Sequence, residues 1–106
     1  GGELFLQLLA SHPDVDAIFF GNDDLAQGAL LEAMRCGIKI PEQVAILGFN
    51  DLPMSEHMVP RLSSINTPRE AIGRRAAEQM LTLMAGNTVA KPVQDMGFEL
   101  KVREST

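Results

Sequence analysis

The chain has 106 residues, a formal net charge of −5 and 45% hydrophobic residues, with five Phe and neither Trp nor Tyr. That is enough apolar material for one domain's core, while the acidic balance excludes this stretch from gripping a nucleic-acid backbone, which takes a basic stripe. The single Cys36 leaves no partner for an internal disulfide and fits a reducing compartment, and no apolar run approaches the ~18 residues of a membrane span. Gly1-Gly2-Glu3-Leu4 opens without an initiator Met or a basic-then-apolar signal and runs straight into helical periodicity, so the chain is expected to be a piece of something longer.

Leu4, Phe5, Leu8 and Leu9 predict one face of a helix that ends near Ser11-His12, before Pro13. His12 has no Cys, Asp or Glu partner at metal-ligand spacing and suits the negative end of a helix. Asp16 to Phe20 is too short for a helix and stops at Gly21, which predicts a central strand. Asn22 or Asp23 is then placed to cap a helix from about Asp24 to Arg35, with Ala26, Ala29, Leu30, Ala33 and Met34 as its stripe and Gly37 as its stop. Leu25 and Leu31 widen that stripe, as expected of a helix with more than one neighbour.

Ile40-Pro41-Glu42 marks a turn, and Val44 to Phe49 a second central strand, apolar on both faces. Strand, helix, strand with short connections predicts a parallel βαβ unit, with Asn22 and Asn50 at the same sheet edge. Leu62 to Asn66 reads as a third strand. Thr67 is expected to cap a helix that starts at Pro68 and runs to about Ala85, before Gly86-Asn87. On it Ile72, Ala76, Met80, Leu83 and Met84 share a face and read as adaptable core filler, while Arg69, Arg74, Arg75 and Glu78 turn to solvent. Phe98, Leu100 and Val102 alternate with Glu99, Lys101 and Arg103, the period of an antiparallel edge strand.

The motifs of catalysis are missing: no phosphate-cradling Gly loop, no nucleophile elbow, no Cys/His zinc spacing. Asp23-Asp24 could draw Mg2+ in an α/β enzyme or a receiver, but capping and helix-dipole complementarity explain the pair as well. What stands out is Asn22 and the loop Gly48-Phe49-Asn50-Asp51-Leu52-Pro53, polar groups at strand ends with Phe20 and Phe49 beside them. Asn donates and accepts at once, and strand ends of open α/β sheets are where ligands bind, so the pattern suits a hydroxyl-rich small molecule. Ordinary turn chemistry would produce the same residues.

Asp16-Ala17-Ile18-Phe19-Phe20-Gly21-Asn22-Asp23, then Ala26 and Gly28, then Gly37-Ile38-Lys39-Ile40-Pro41, resemble the effector-binding core of the lactose-repressor/galactose-repressor family. The run from Val44 to Asp51, Pro60-Arg61-Leu62-Ser63-Ser64-Ile65, Gly73 with Ala76-Ala77, and the terminal Arg103-Glu104-Ser105-Thr106 continue the resemblance in order. It implies an α/β, periplasmic-binding-protein-like parallel sheet flanked by helices, in a cytoplasmic bacterial transcription regulator that is not an enzyme and needs no cofactor. Residues 1–67 would correspond to the C-terminal lobe, 68–88 to a helix of the N-terminal lobe, and 89–106 to the returning strand. Operator DNA would be bound only through a helix-turn-helix headpiece that this chain lacks. On its own the chain would expose one side of the 68–88 helix. A periplasmic sugar-binding protein of the same fold is the alternative.

Carried over by position, the resemblance makes Asn22, Asn50, Thr67 and Arg69 ligand-facing. Asn50 departs from the family, where Asp is common. An amide can donate to an anion that a carboxylate would repel, and Arg69 could pair with a carboxylate. The resemblance is nearest to the gluconate-operon repressors, which implies a sugar or sugar acid such as gluconate as effector. It also implies a homodimer through Gln27, Leu30, Leu31, Met34 and Met58, with no membrane partner. Intramolecular core is the lesser alternative for Leu30 and Met34.

Overall fold

A computed structural model describes residues 1–106. In chain order it has α1 (Gly2–Ser11), β1 (Ala17–Phe19), α2 (Asp23–Cys36), β2 (Ala45–Phe49), a 3-10 turn (Pro53–His57), β3 (Ser63–Asn66), α3 (Arg69–Met84) and β4 (Glu99–Lys101). The strands form one sheet in the order β1-β2-β3-β4, parallel across the first three and antiparallel between β3 and β4. Two compact units share the chain: Gly1–Asn66 with Glu99–Thr106, and Thr67–Phe98.

The first unit has the core. Phe5 of α1, Ala26, Ala29, Leu30 and Ala33 of α2, Ile46 of β2 and Leu62 are almost fully removed from water, with Ile18 and Phe20 packed against them. Alternation along the strands turns Ala17, Phe19, Ala45 and Leu47 to the other face, where they line an open apolar trough beside Thr106. The α2 helix forms as its sequence predicts. Asn22 caps it, with Oδ1 accepting from Leu25 N at 2.9 Å, and Gly37 ends it at φ 70, a left-handed conformation that a Cβ would disfavour.

The structure departs from the sequence reading in several places. β1 has only β2 as a neighbour, so it is an edge strand and not a central one, and Phe19 stays 59% exposed. On α1 the buried residue is Phe5, whereas Leu4 is exposed, because only part of the apolar face reaches α2. Thr67 is not the cap of α3. Pro68 takes that position and no side chain accepts from the helix's free N–H groups.

Nor are the α3 apolar residues core filler within this chain. No α3 residue is buried, and Ile72, Met80, Leu83 and Met84 are all exposed, since the Thr67–Phe98 unit has no second layer to cover them. The unit is held instead by contacts along its own surface: Arg75 Nε donates to Gln94 Oε1 at 2.9 Å and Gln79 Nε2 to Lys91 O at 2.8 Å. The stretch 89–98, expected to belong to the returning strand, sits in this unit, and the strand begins only at Glu99.

Candidate functional site

Asn22 and Asn50 follow the carboxyl ends of β1 and β2, which are adjacent and parallel with Phe19 opposite Leu47. The two amides therefore come to one edge of the sheet, as the βαβ pattern predicts. They differ in what they are free to do. The oxygen of Asn22 is engaged by the helix cap, which leaves its NH2 as the available group, whereas the Asn50 side chain makes no hydrogen bond within the chain. The aromatic neighbour also differs from expectation: Phe19, not Phe20, meets Phe49 edge to face with ring centres 6.4 Å apart. Phe20 points the other way, onto the core.

The Asn50 loop has an unusual backbone. Asn50 and Asp51 both adopt positive φ, 99° and 50°, a region that costs most side chains but that Asn and Asp tolerate. Asn50 N donates to Ile65 O at 2.9 Å, which extends the β2–β3 ladder into the turn.

Two carboxylates hold this turn. Asp23, the first residue of α2, has no exposed surface. Its oxygens accept from Leu52 N at 2.7 Å, Ser55 Oγ at 2.5 Å and Ser64 Oγ at 2.6 Å. It is thus neither a helix cap nor a free metal ligand but a buried tie between α2, the loop and β3. Gly48 makes room for it, because a Cβ there would overlap Asp23 Oδ1. Asp51 pairs with Arg103 Nη1 at 2.8 Å and accepts from Asn66 Nδ2 at 2.9 Å. Burial raises the Asp51 pKa, but the hydrogen bonds from Arg103 and Asn66 and the charges of Arg103 and Lys101 outweigh it, so the carboxyl stays below its ordinary value.

Thr67 and Arg69 lie in the other unit. Both line an open hollow of about 790 Å3 on the amino-terminal half of α3, together with Glu70, Arg74, Arg75, Glu78 and Met96. Arg74 is paired with Glu70 at 3.3 Å and Arg75 with Glu78 at 3.1 Å, while the Arg69 guanidinium has no acidic partner in the chain.

Of the residues assigned to a dimer face, Leu31 and Met34 are more than half exposed on α2. Leu30 is not on that surface: the helical turn points it into the core, where it is 1% exposed. Met58 packs partly against the core, and Gln27 Nε2 donates to Ser55 Oγ at 3.4 Å. His12 is exposed, its Nδ1 2.9 Å from Ser11 Oγ.

Sequence reasoning missed Asp23 as a hub, Ser55 and Ser64 as its donors, and the Asp51–Arg103–Asn66 cluster. Arg103 had been placed on the solvent side of an alternating strand, yet its side chain is only 18% exposed. The one signal available was Gly48, a glycine inside an otherwise apolar strand, which marks a close approach.

Residues 3–106 match the periplasmic binding protein-like domain family. The chain belongs to that family. Within it, the chain groups with the lactose-repressor/galactose-repressor regulators. It is 73% identical, over all 106 residues, to the HTH-type transcriptional regulator GntR of Pseudomonas aeruginosa, of which it covers 31%. The crystal structure of the transcription regulator GntR from Chromobacterium violaceum aligns over 98% of this chain and 38% of that one, at 43% identity and a TM-score of 0.88. The CelR–cellobiose complex aligns over 96% of this chain and 31% of that one, at 36% identity and a TM-score of 0.86. The chain thus spans about a third of the length of the curated relatives it matches. These relatives are named as transcriptional regulators and not as enzymes. No helix of the chain is long and apolar enough to cross a membrane.

Proposed function

We propose that this chain is the effector-binding and dimerisation region of a bacterial transcriptional repressor, and that its effector is a sugar acid such as gluconate. The observation that carries the reading is the Asn50 side chain, at a parallel strand end and uncommitted to any group of the chain. Its neighbour Asp51 would repel an anion, but Arg103 neutralises that charge. Asn22 and Asn50 are assigned to effector hydroxyls, Thr67 to the cleft wall and Arg69 to the carboxylate. Residues 1–67 are assigned to the C-terminal lobe and 68–88 to a helix of the N-terminal lobe, with the return to the C-terminal lobe made by the strand that begins at Glu99. Operator binding is assigned to a helix-turn-helix headpiece of the regulator that carries this chain, in the cytoplasm, and effector binding would act by favouring one arrangement of the lobes. The naming of the relatives as helix-turn-helix regulators favours this over a periplasmic carrier.

Calorimetry with gluconate on the whole regulator tests the site. Asn50→Ala is expected to weaken binding by about tenfold, and Asn50→Asp by more, because the new carboxylate would face the anion. Operator affinity without effector should not change. Equal gluconate affinity in all three proteins would remove Asn50 from the site. For the dimer, Leu31→Arg places a charge on the exposed side of α2. Sedimentation of that variant as monomer is expected, and an intact dimer would reject this face.

A further inference from the structure

Asp51 lies beside the residue assigned to the effector, and both of its carboxylate oxygens are taken up within the chain. One of its oxygens takes Arg103 Nη1 and the other takes Asn66 Nδ2, and its side chain is only 11% exposed. Arg103 is itself held, its Nη1 donating to Leu62 O and its backbone N to Ser63 Oγ, each at 2.7 Å. The Asp51 main chain is tied as well. Its N donates to Ser64 Oγ at 3.0 Å, and the same hydroxyl gives its proton to Asp23 Oδ1. Two consecutive non-glycine residues at positive φ would relax without such ties.

We infer that Asp51 is the positioning residue of this site: through Arg103 and Asn66 it holds the left-handed turn that presents Asn50. The inference rests on the effector reading of Asn50 and deepens it. Asp51 also joins the loop to the end of β3 and to the segment after β4. Asn66 is the last residue before the first unit is left, and Arg103 follows β4, the strand by which it is re-entered.

The test uses the whole regulator and three variants, Asp51→Asn, Asn50→Ala and the double variant, with gluconate as probe. Amide hydrogen exchange is read without ligand at Asn50, whose N–H is bonded to Ile65 O, and at Ile46 in the core strand as a check of folding. Asp51→Asn is expected to speed exchange at Asn50 by about tenfold while Ile46 changes by less than about twofold. In calorimetry it should weaken gluconate by about tenfold, and the double variant should bind no more weakly than Asn50→Ala, because Asp51 acts through Asn50. Unchanged exchange at Asn50 in Asp51→Asn would overturn the inference. So would two losses of affinity that multiply, which would mean that Asp51 contacts the effector directly. Normal gluconate binding by Asn50→Ala would instead overturn the effector reading, and the exchange result would still decide whether Asp51 holds the turn.

Discussion

The two units of the chain are stabilised in different ways. All of the fully buried apolar side chains lie in Gly1–Asn66, and its loops are tied by buried hydrogen bonds to Asp23. The Thr67–Phe98 unit has a 16-residue helix with no buried residue and ion pairs that are largely in water. Exposed pairs of that kind contribute little, and an isolated helix of this length is marginal. A sequence pattern that looks equally amphipathic in α2 and α3 thus has opposite outcomes within this chain, because here only α2 has a sheet to lie on.

The largest effect that would probe this contrast is at Asp23. Asp23→Ala leaves Ser55, Ser64 and Leu52 N without their acceptor, and at about 1–3 kcal/mol for each buried donor left unpaired a loss of about 3–5 kcal/mol is expected by denaturant unfolding. Gly48→Ala should act through the same carboxylate, since its Cβ would displace it. A cost below about 1 kcal/mol for Asp23→Ala would show that the tie is not structural.

The contrast can be sharpened with one truncation in each unit. Leu30→Ala opens a cavity in a closed core and should cost about 2–5 kcal/mol. Leu81→Ala, on the exposed side of α3, should stay within about 0.5 kcal/mol. Comparable costs at the two positions, measured in this chain by thermal or urea unfolding, would break the distinction between the units.

The smallest effect is in acid. Asp51 has a folded pKa below its ordinary value of about 3.9, so its contribution is fully present above that value and lost as pH falls through the lower one. The stability difference between the parent and Asp51→Asn should therefore be constant from pH 7 to about 5 and shrink below about pH 4. A difference that stays level down to pH 3 would mean that Asp51 is not tied as the structure has it.

Most of the fold was legible from periodicity and punctuation. The β2 run, the Asn22 cap and the Gly37 stop came from side-chain pattern and backbone chemistry, which are local. The candidate site was legible only in part. Asn22 and Asn50 could be put at one sheet edge because the parallel βαβ geometry requires it. The roles of Asp23, Arg103 and Phe19 could not, since a buried carboxylate, a mostly buried arginine and an edge-strand aromatic look like a cap, a solvated charge and a core residue when read along the chain.

The sequence by itself determined the strands, the helices and their order, because alternation, helical period and capping depend on neighbours a few residues apart. It also carried the family. Tertiary structure alone decided that Asp23 meets Ser55 and Ser64, that Asp51 meets Arg103 across 52 positions of sequence, and that Leu30 is buried while Leu31 is not. Those outcomes follow from which elements are brought side by side, and no local pattern encodes the partner.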